Sequence, residues 1–203
     1  MPSKYDILTF LNDGPPPGAS PWVVEPQAVP IDVIDPDPRW PAAFDGLAER
    51  VRSALGARVL DITHIGSTAV PGLPAKPIID IDLILADPAE EDVWVPPLER
   101  AGFVLTVREP WWHEHRVMKA ADPAANLHVF SPDAPEPWKH RIFRDHLRRD
   151  AQDRELYARA KRDAAVASSE AGETVMAYNA RKEKAVREIY ARAFRAAGLS
   201  EHE

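Results

Sequence analysis

His64-Ile-Gly-Ser-Thr-Ala-Val-Pro-Gly-Leu-Pro-Ala-Lys76-Pro-Ile-Ile-Asp80-Ile-Asp82-Leu-Ile-Leu85 joins a strand, a turn of small residues and a second strand. On the second strand, alternation puts Ile79, Ile81, Leu83 and Leu85 on one face and Ile78, Asp80, Asp82 and Ile84 on the other. Two carboxylates therefore share a face, which costs stability unless a cation compensates them. A divalent ion answers this need, and Mg²⁺, which takes hard oxygen ligands, is commonly held by one or two carboxylates plus substrate phosphates. The plainer alternative is an edge strand whose solvated aspartates block aggregation. In the turn, Gly66 lets the backbone approach a ligand, and Ser67 and Thr68 suit a helix start whose N–H groups bind a phosphate. An ordinary turn has the same look. Lys76 stands between turn and aspartates, within reach of either a phosphate or Asp80, or is a plain surface lysine.

Upstream, Phe44, Leu47, Ala48, Val51 and Leu55 recur at helical intervals and predict a helix from Trp40 to Leu55, stopped at Gly56. Strands are predicted at 58–63, 77–86, 102–107, 114–120 and 126–131, with a helix near 89–101. All 21 prolines lie at or before Pro137, and the Ala-, Arg- and Glu-rich remainder predicts helices near 138–149, 151–168 and 173–197. The fold class that follows is α/β (α+β), one mixed sheet flanked by helices with a helical C-terminal region. Pro15, Pro16, Pro17, Pro21, Pro26 and Pro30 mark residues 1–30 as a Pro-rich arm. A single domain then spans 31–197, divided into an α/β core (31–137) and a helical part (138–197), with a tail at 198–203.

The 203 residues suit one compact domain. Without cysteine there is no disulfide, Cys-ligated zinc, Fe–S cluster or thiol nucleophile. The net charge of −7 argues against wholesale nucleic-acid binding. Its distribution is uneven: residues 1–137 hold 10 Lys/Arg and 21 Asp/Glu, whereas 138–195 hold 15 and 9, so a basic half can face an anion. Met1–Asn12 lacks a secretory pattern and no window reaches the roughly 18 apolar residues of a membrane span. A cytoplasmic protein without a membrane segment is expected; its oligomeric state is open.

Further candidates lie downstream. Arg144, on the basic helix, can meet a triphosphate or the carboxylates in bidentate fashion, or belong to a solvated face. On a strand His113 and His115 would point the same way and, with His128, supply a three-His metal site of a hydrolase. Partly exposed strand histidines are the alternative. His140 and His146 are six apart, the wrong spacing for adjacent ligands on one helical face.

The stretch from His64 to Ile81, together with Ile142-Phe-Arg-Asp-His-Leu-Arg, Tyr157-Ala-Arg-Ala-Lys161 and Asn126-Leu-His-Val-Phe, resembles the GrpB family over about residues 31–195. The resemblance implies a nucleotidyltransferase-like fold, whose pattern is a Gly-Ser turn, an Asp-x-Asp strand and a third acidic residue on a neighbouring strand. It further implies that Gly66, Ser67 and Thr68 hold nucleotide phosphates, aided by Lys76 and Arg144, and that Asp80 and Asp82 hold Mg²⁺. The reaction implied is nucleotidyl transfer from a nucleoside triphosphate to an unknown acceptor. The third acid is absent: strand 126–131 offers Asn126 and His128, and Asp122 and Asp133 only flank it. His128 would complete the catalytic set with Asp80 and Asp82. Binding without turnover is the alternative, as is folding support, since some members are joined to dephospho-coenzyme A kinases.

Overall fold

Five strands form one mixed sheet in the computed structural model, which describes residues 1–10 and 14–199; residues 11–13 of the arm and 200–203 of the tail lie outside the described residues. The strands are β1 (Asp61–Ile65), β2 (Ile79–Ile84), β3 (Phe103–Glu109), β4 (His115–Ala121) and β5 (Ala124–Phe130), in the spatial order β1-β2-β5-β4-β3. Only β2 and β5 run parallel; every other neighbouring pair is antiparallel. The strand carrying both aspartates thus lies inside the sheet, between β1 and β5, and the edge-strand reading of β2 does not hold. The mixed sheet flanked by helices is the fold class the sequence predicts.

One face carries the main core. Helix α2 (Trp40–Leu55) starts with Pro41 in its first turn, where a missing N–H costs nothing, and ends at Gly56 with φ 57°. Its Leu47, Ala48 and Val51 pack with Trp94 and Leu98 of α3 (Glu91–Arg100) onto Ile79, Ile81 and Leu83. Each large apolar side chain sealed there contributes about 1.5 to 3 kcal/mol. The opposite face of β2 meets α4 (Glu136–Arg149), which packs with α5 (Ala151–Glu170) and α6 (Val175–Ala196). Asp150 caps α5 by accepting from the Asp153 amide at 2.8 Å. Leu147, Tyr157 and Ile189 of these helices bury Val70 and Leu73, so the helical region holds the loop between Gly66 and Lys76 in place.

The arm contains structure that apolar periodicity does not reveal. Ser3 and Asp6 form a capping box for α1 (Lys4–Leu8), whose Ile7 packs on Tyr190 and Phe194. Buried Lys139 ties down the following residues by donating to the Thr9 carbonyl at 2.6 Å while paired with Glu136 at 2.6 Å. Further on, Trp22 bridges to Val107 along β3. A five-residue helix is too short for a repeat to register. Strand starts also shift: a 3₁₀ turn at Gly56–Arg58 delays β1, left-handed His113 (φ 54°) and Glu114 (φ 51°) precede β4, which starts one residue late, as does β3, while β2 starts two residues later and β5 two earlier than expected. Among the described residues, no helix is long and apolar enough to cross a membrane.

Candidate functional site

Gly66 follows β1 with φ 68°, a conformation that favours glycine. A Cβ there would stand 2.5 Å from Asp80 Oδ2 and 2.9 Å from Asp80 Cβ, so turn backbone and carboxylate are in close contact with no space for a side chain between them. Asp80 is half-buried and accepts from Asn126 Nδ2 at 2.8 Å through Oδ1, which leaves Oδ2 on the Gly66 side. In the turn, the Ala69 amide bonds the Gly66 carbonyl (3.3 Å) and the Val70 amide the Ser67 carbonyl (3.1 Å), so its own bonds use amides from Ala69 onward. Thr68 is buried; its hydroxyl donates to the Ile78 carbonyl at 3.4 Å and lies 3.0 Å from His64 Nε2. The His64 ring stacks on Phe44, and burial above all pushes its pKa down to about 4, so it is a neutral prop.

Two residues along β2 the surroundings change. Asp82 is fully buried, and both its oxygens lie within hydrogen-bond reach of His140 Nδ1, at 3.1 and 2.9 Å. Burial alone would lower the His140 pKa, but the charge and hydrogen bond of Asp82, with Glu136 and Asp80 behind it, raise it above the ordinary value. On β5, His128 stands directly beside Asp82 in the register. His128 Nδ1 lies 3.1 Å from His115 Nε2, and His115 Nδ1 lies 2.7 Å from Glu109 Oε2. Burial lowers the pKa of His115 and of His128, the latter against the pull of Asp80 and Asp82, and raises that of Glu109. The chain Glu109–His115–His128 thus ends beside the Asp82–His140 pair.

The amines sit at the other end. Lys76 Nζ lies 5.1 Å from the Tyr178 ring, and Lys182 Nζ of α6 lies 4.8 Å from the same ring. Lys161 of α5, buried to 2% exposure, donates Nζ to the Pro74 carbonyl. Burial lowers the Lys76 pKa, with Asp80 opposing. The expected phosphate ligand Arg144 braces the turn instead: Nη1 donates to the His64 carbonyl and Nε to Asp145 Oδ1, both at 2.8 Å. Arg148 does the same through two bonds to the Ala69 carbonyl, at 3.0 and 2.8 Å.

Gly66 and Asp80 are therefore in close contact, with Lys76 near enough to feel the Asp80 charge, while Asp82 lies against His140 and beside His128. The three-His site is not assembled. His113 leaves the strand in a left-handed turn, so it does not alternate with His115, and the charged groups that act on it are Glu136, Lys139 and Asp6. Among the described residues, the three potential metal ligands found close together are His146, Asp150 and Asp153. Their contacts are structural: Asp153 accepts from Arg192 and bonds His146 at 2.6 Å, while Asp150 caps α5. Trp112 packs edge-on against His115 and Phe130 rather than lining an open base pocket. The sequence reading missed His140, Lys161 and Lys182. Tyr157-Ala-Arg-Ala-Lys161 was a signal for one of them, and the basic C-terminal half for the others.

A family model described as "GrpB protein" matches residues 30–192. The UPF0157 protein BH1888 of Halalkalibacterium halodurans is 50% identical over 139 residues, covering 68% of this chain and 71% of that protein. A dephospho-CoA kinase of Mycolicibacterium paratuberculosis is 32% identical over 162 residues, which covers 66% of this chain and 40% of the kinase. In three dimensions, the conserved protein GrpB from Enterococcus faecalis superposes with a TM-score of 0.71 at 24% identity, over 82% of this chain and 99% of that one. That last likeness is one of fold.

Proposed function

The chain belongs to the GrpB family, and on that premise we propose that it binds a nucleoside triphosphate with Mg²⁺ beside the Gly66 turn and Asp80. The observation that carries this reading is the 2.5 Å approach of a Cβ at position 66 to Asp80 Oδ2. Backbone bare of a side chain lies directly against a carboxylate, so a phosphate on the turn amides would stand beside Asp80 and the counter-ion it would hold. Gly66 and Ser67 would border the phosphates, with Lys76 nearby; Thr68, Arg144 and Arg148 hold the turn in shape. Asp80 would hold the ion through Oδ2, and one protein carboxylate plus phosphate oxygens is a common Mg²⁺ set. Asp82 would join that set only by giving up His140. A bound ion would neutralise charge on the phosphoryl oxygens.

Nucleotidyl transfer would join an acceptor oxygen to the α-phosphorus and release pyrophosphate. His128, whose pKa burial lowers and whose ring lies 3.1 Å from His115 Nε2, would be the group to take the acceptor's proton. A second reading, binding without turnover, is favoured by a specific observation: Asp82 is closed into its pair with His140, and His128 stands where the third acid is called for. Of the two, binding is what the geometry supports best. The dephospho-CoA kinase relative, of which the matched segment is 40%, fits such a supporting module.

Thermal-shift titration with ATP, GTP, CTP and UTP, each with and without Mg²⁺, tests the reading. A Mg²⁺-dependent rise in Tm that disappears in Asp80→Ala supports it; no rise with any nucleotide refutes it. Release of pyrophosphate, lost in His128→Ala, would select transfer over binding alone.

A further inference from the structure

Three lysines from three separate elements converge beside Asp80: Lys76 from the loop before β2, Lys161 from α5 and Lys182 from α6. They are held together by two tyrosine rings. Lys76 and Lys182 share Tyr178, at 5.1 and 4.8 Å, while Lys161 and Lys182 share Tyr157, at 5.1 and 5.8 Å. Both rings are buried, Tyr157 at 7% and Tyr178 at 1% exposure, so the cluster has a firm floor. Among the described residues none of the three lysines is engaged in an ion pair. Aromatic faces attract an ammonium group but do not neutralise it.

Lys161 shows how strongly this arrangement resists its own charge. Its side chain is 2% exposed and its one hydrogen bond is to the Pro74 carbonyl. Burial first, then Lys182, with Lys76 and Arg162, push its amine down to about 7 against the pull of Asp80. Three amines thus gather on one aromatic floor with a single carboxylate acting on two of them, and packing like charges in a desolvated place is unfavourable unless an anion completes it. Surface lysines kept only for solubility do not come from three elements onto a common aromatic floor, nor is one of them buried.

We infer that Lys76, Lys161 and Lys182 form a subsite for the terminal phosphates of a polyphosphate ligand. For the identity of that ligand the inference rests on the nucleotide reading, in which the subsite takes the β- and γ-phosphates while the α-phosphate lies nearer Gly66. The charge argument itself is independent of any base or sugar.

Calorimetric titration of the full chain with MgATP, MgAMP and inorganic tripolyphosphate tests this on the wild type, Lys182→Gln, Lys161→Met and Asp80→Ala. Lys182 is only half-buried, so its variant keeps the fold if buried Lys161→Met does not, and a melting curve checks both. ATP and tripolyphosphate should bind more tightly than AMP, and Lys182→Gln should weaken both by about tenfold, the loss of one charge-assisted contact, without changing AMP. Asp80→Ala should leave tripolyphosphate bound. Absence of tripolyphosphate binding, or binding unchanged in both lysine variants, overturns the subsite. ATP binding that ignores the lysines overturns it too while sparing the nucleotide reading. Lysine-dependent tripolyphosphate binding without ATP binding supports the subsite and sinks the nucleotide.

Discussion

Asp80 and Asp82 are two residues apart on one strand and face the same way, yet they lie in opposite electrostatic settings. Around Asp80 are a glycine turn, an amide from Asn126 and the amines of Lys76 and Lys161, with Lys182 beyond them. Around Asp82 are imidazoles: His140 directly on its oxygens and His128 beside it in the sheet. One carboxylate is half-open with an oxygen to spare, and the other is closed. The difference comes from what covers each end of the strand: α4 covers Asp82, whereas α5 and α6 approach Asp80 with long side chains. Identical residues in a repeating pattern thus acquire different chemistry from their neighbours, and an open end can be told from a closed one.

The most disruptive way to probe the open end is Gly66→Val. The new Cβ meets Asp80 Oδ2 at 2.5 Å in a left-handed conformation, and a loss of about 3 to 4 kcal/mol is expected in urea unfolding. An Asp80→Gly background should restore part of this, since the clash goes and the φ of 68° remains. A Gly66→Val chain as stable as wild type would break the claim that turn and acid are in close contact.

At the closed end, Asp82→Ala should cost about 2 to 3 kcal/mol by leaving the His140 imidazole without its partner, measured by the same unfolding curves. Asp80→Ala should cost less, about 1 kcal/mol for the Asn126 bond, while carrying the larger effect on Mg²⁺-dependent ligand shifts. Equal losses at both positions would erase the contrast.

The pH dependence should have opposite signs at the two ends. His140 has a raised pKa in the folded chain, so its pairing stabilises fully below the ordinary histidine value and is lost as pH rises through the folded one. The destabilisation of His140→Gln relative to wild type should therefore shrink between pH 6 and pH 9. Lys161, lowered to about 7, binds its proton more weakly folded than unfolded, so stability rises with pH above about 7 until the unfolded lysine also titrates. Lys161→Met should flatten that rise. Matching slopes for the two variants would refute the assignment of charge to either end.

The smallest effect is expected at the brace. Arg148→Ala removes two bonds to the Ala69 carbonyl and should cost about 1 kcal/mol in unfolding experiments, with a modest loss of ligand-induced stabilisation because the turn loosens. A large loss of ligand response with no change in stability would instead make Arg148 a ligand contact.

Much of this molecule was legible in its sequence. Alternation along β2 separated the core residues Ile79, Ile81 and Leu83 from the acid face, and apolar spacing with Gly56 and Asp150 marked the ends of α2 and α5 to within a residue or two. These are local properties, set by period and by caps. His113 was misread because two left-handed residues interrupt the alternation that a strand reading assumes. Basic charge on α4 says nothing about which carbonyl Arg144 meets; its Nη1 donates to that of His64, 80 positions earlier.

Residue order by itself determined the mixed sheet, the helical second half, the glycine turn and the shared face of Asp80 and Asp82. Each of these follows from backbone geometry repeating over a few residues. The tertiary structure alone decided that β2 lies inside the sheet, that His140 closes Asp82, and that Lys161 and Lys182 gather near Lys76. Those outcomes depend on groups 46 to 106 positions apart in the chain meeting in space. The energy of such a meeting, through burial and Coulomb attraction or repulsion, depends on distance between atoms and not on distance along the chain.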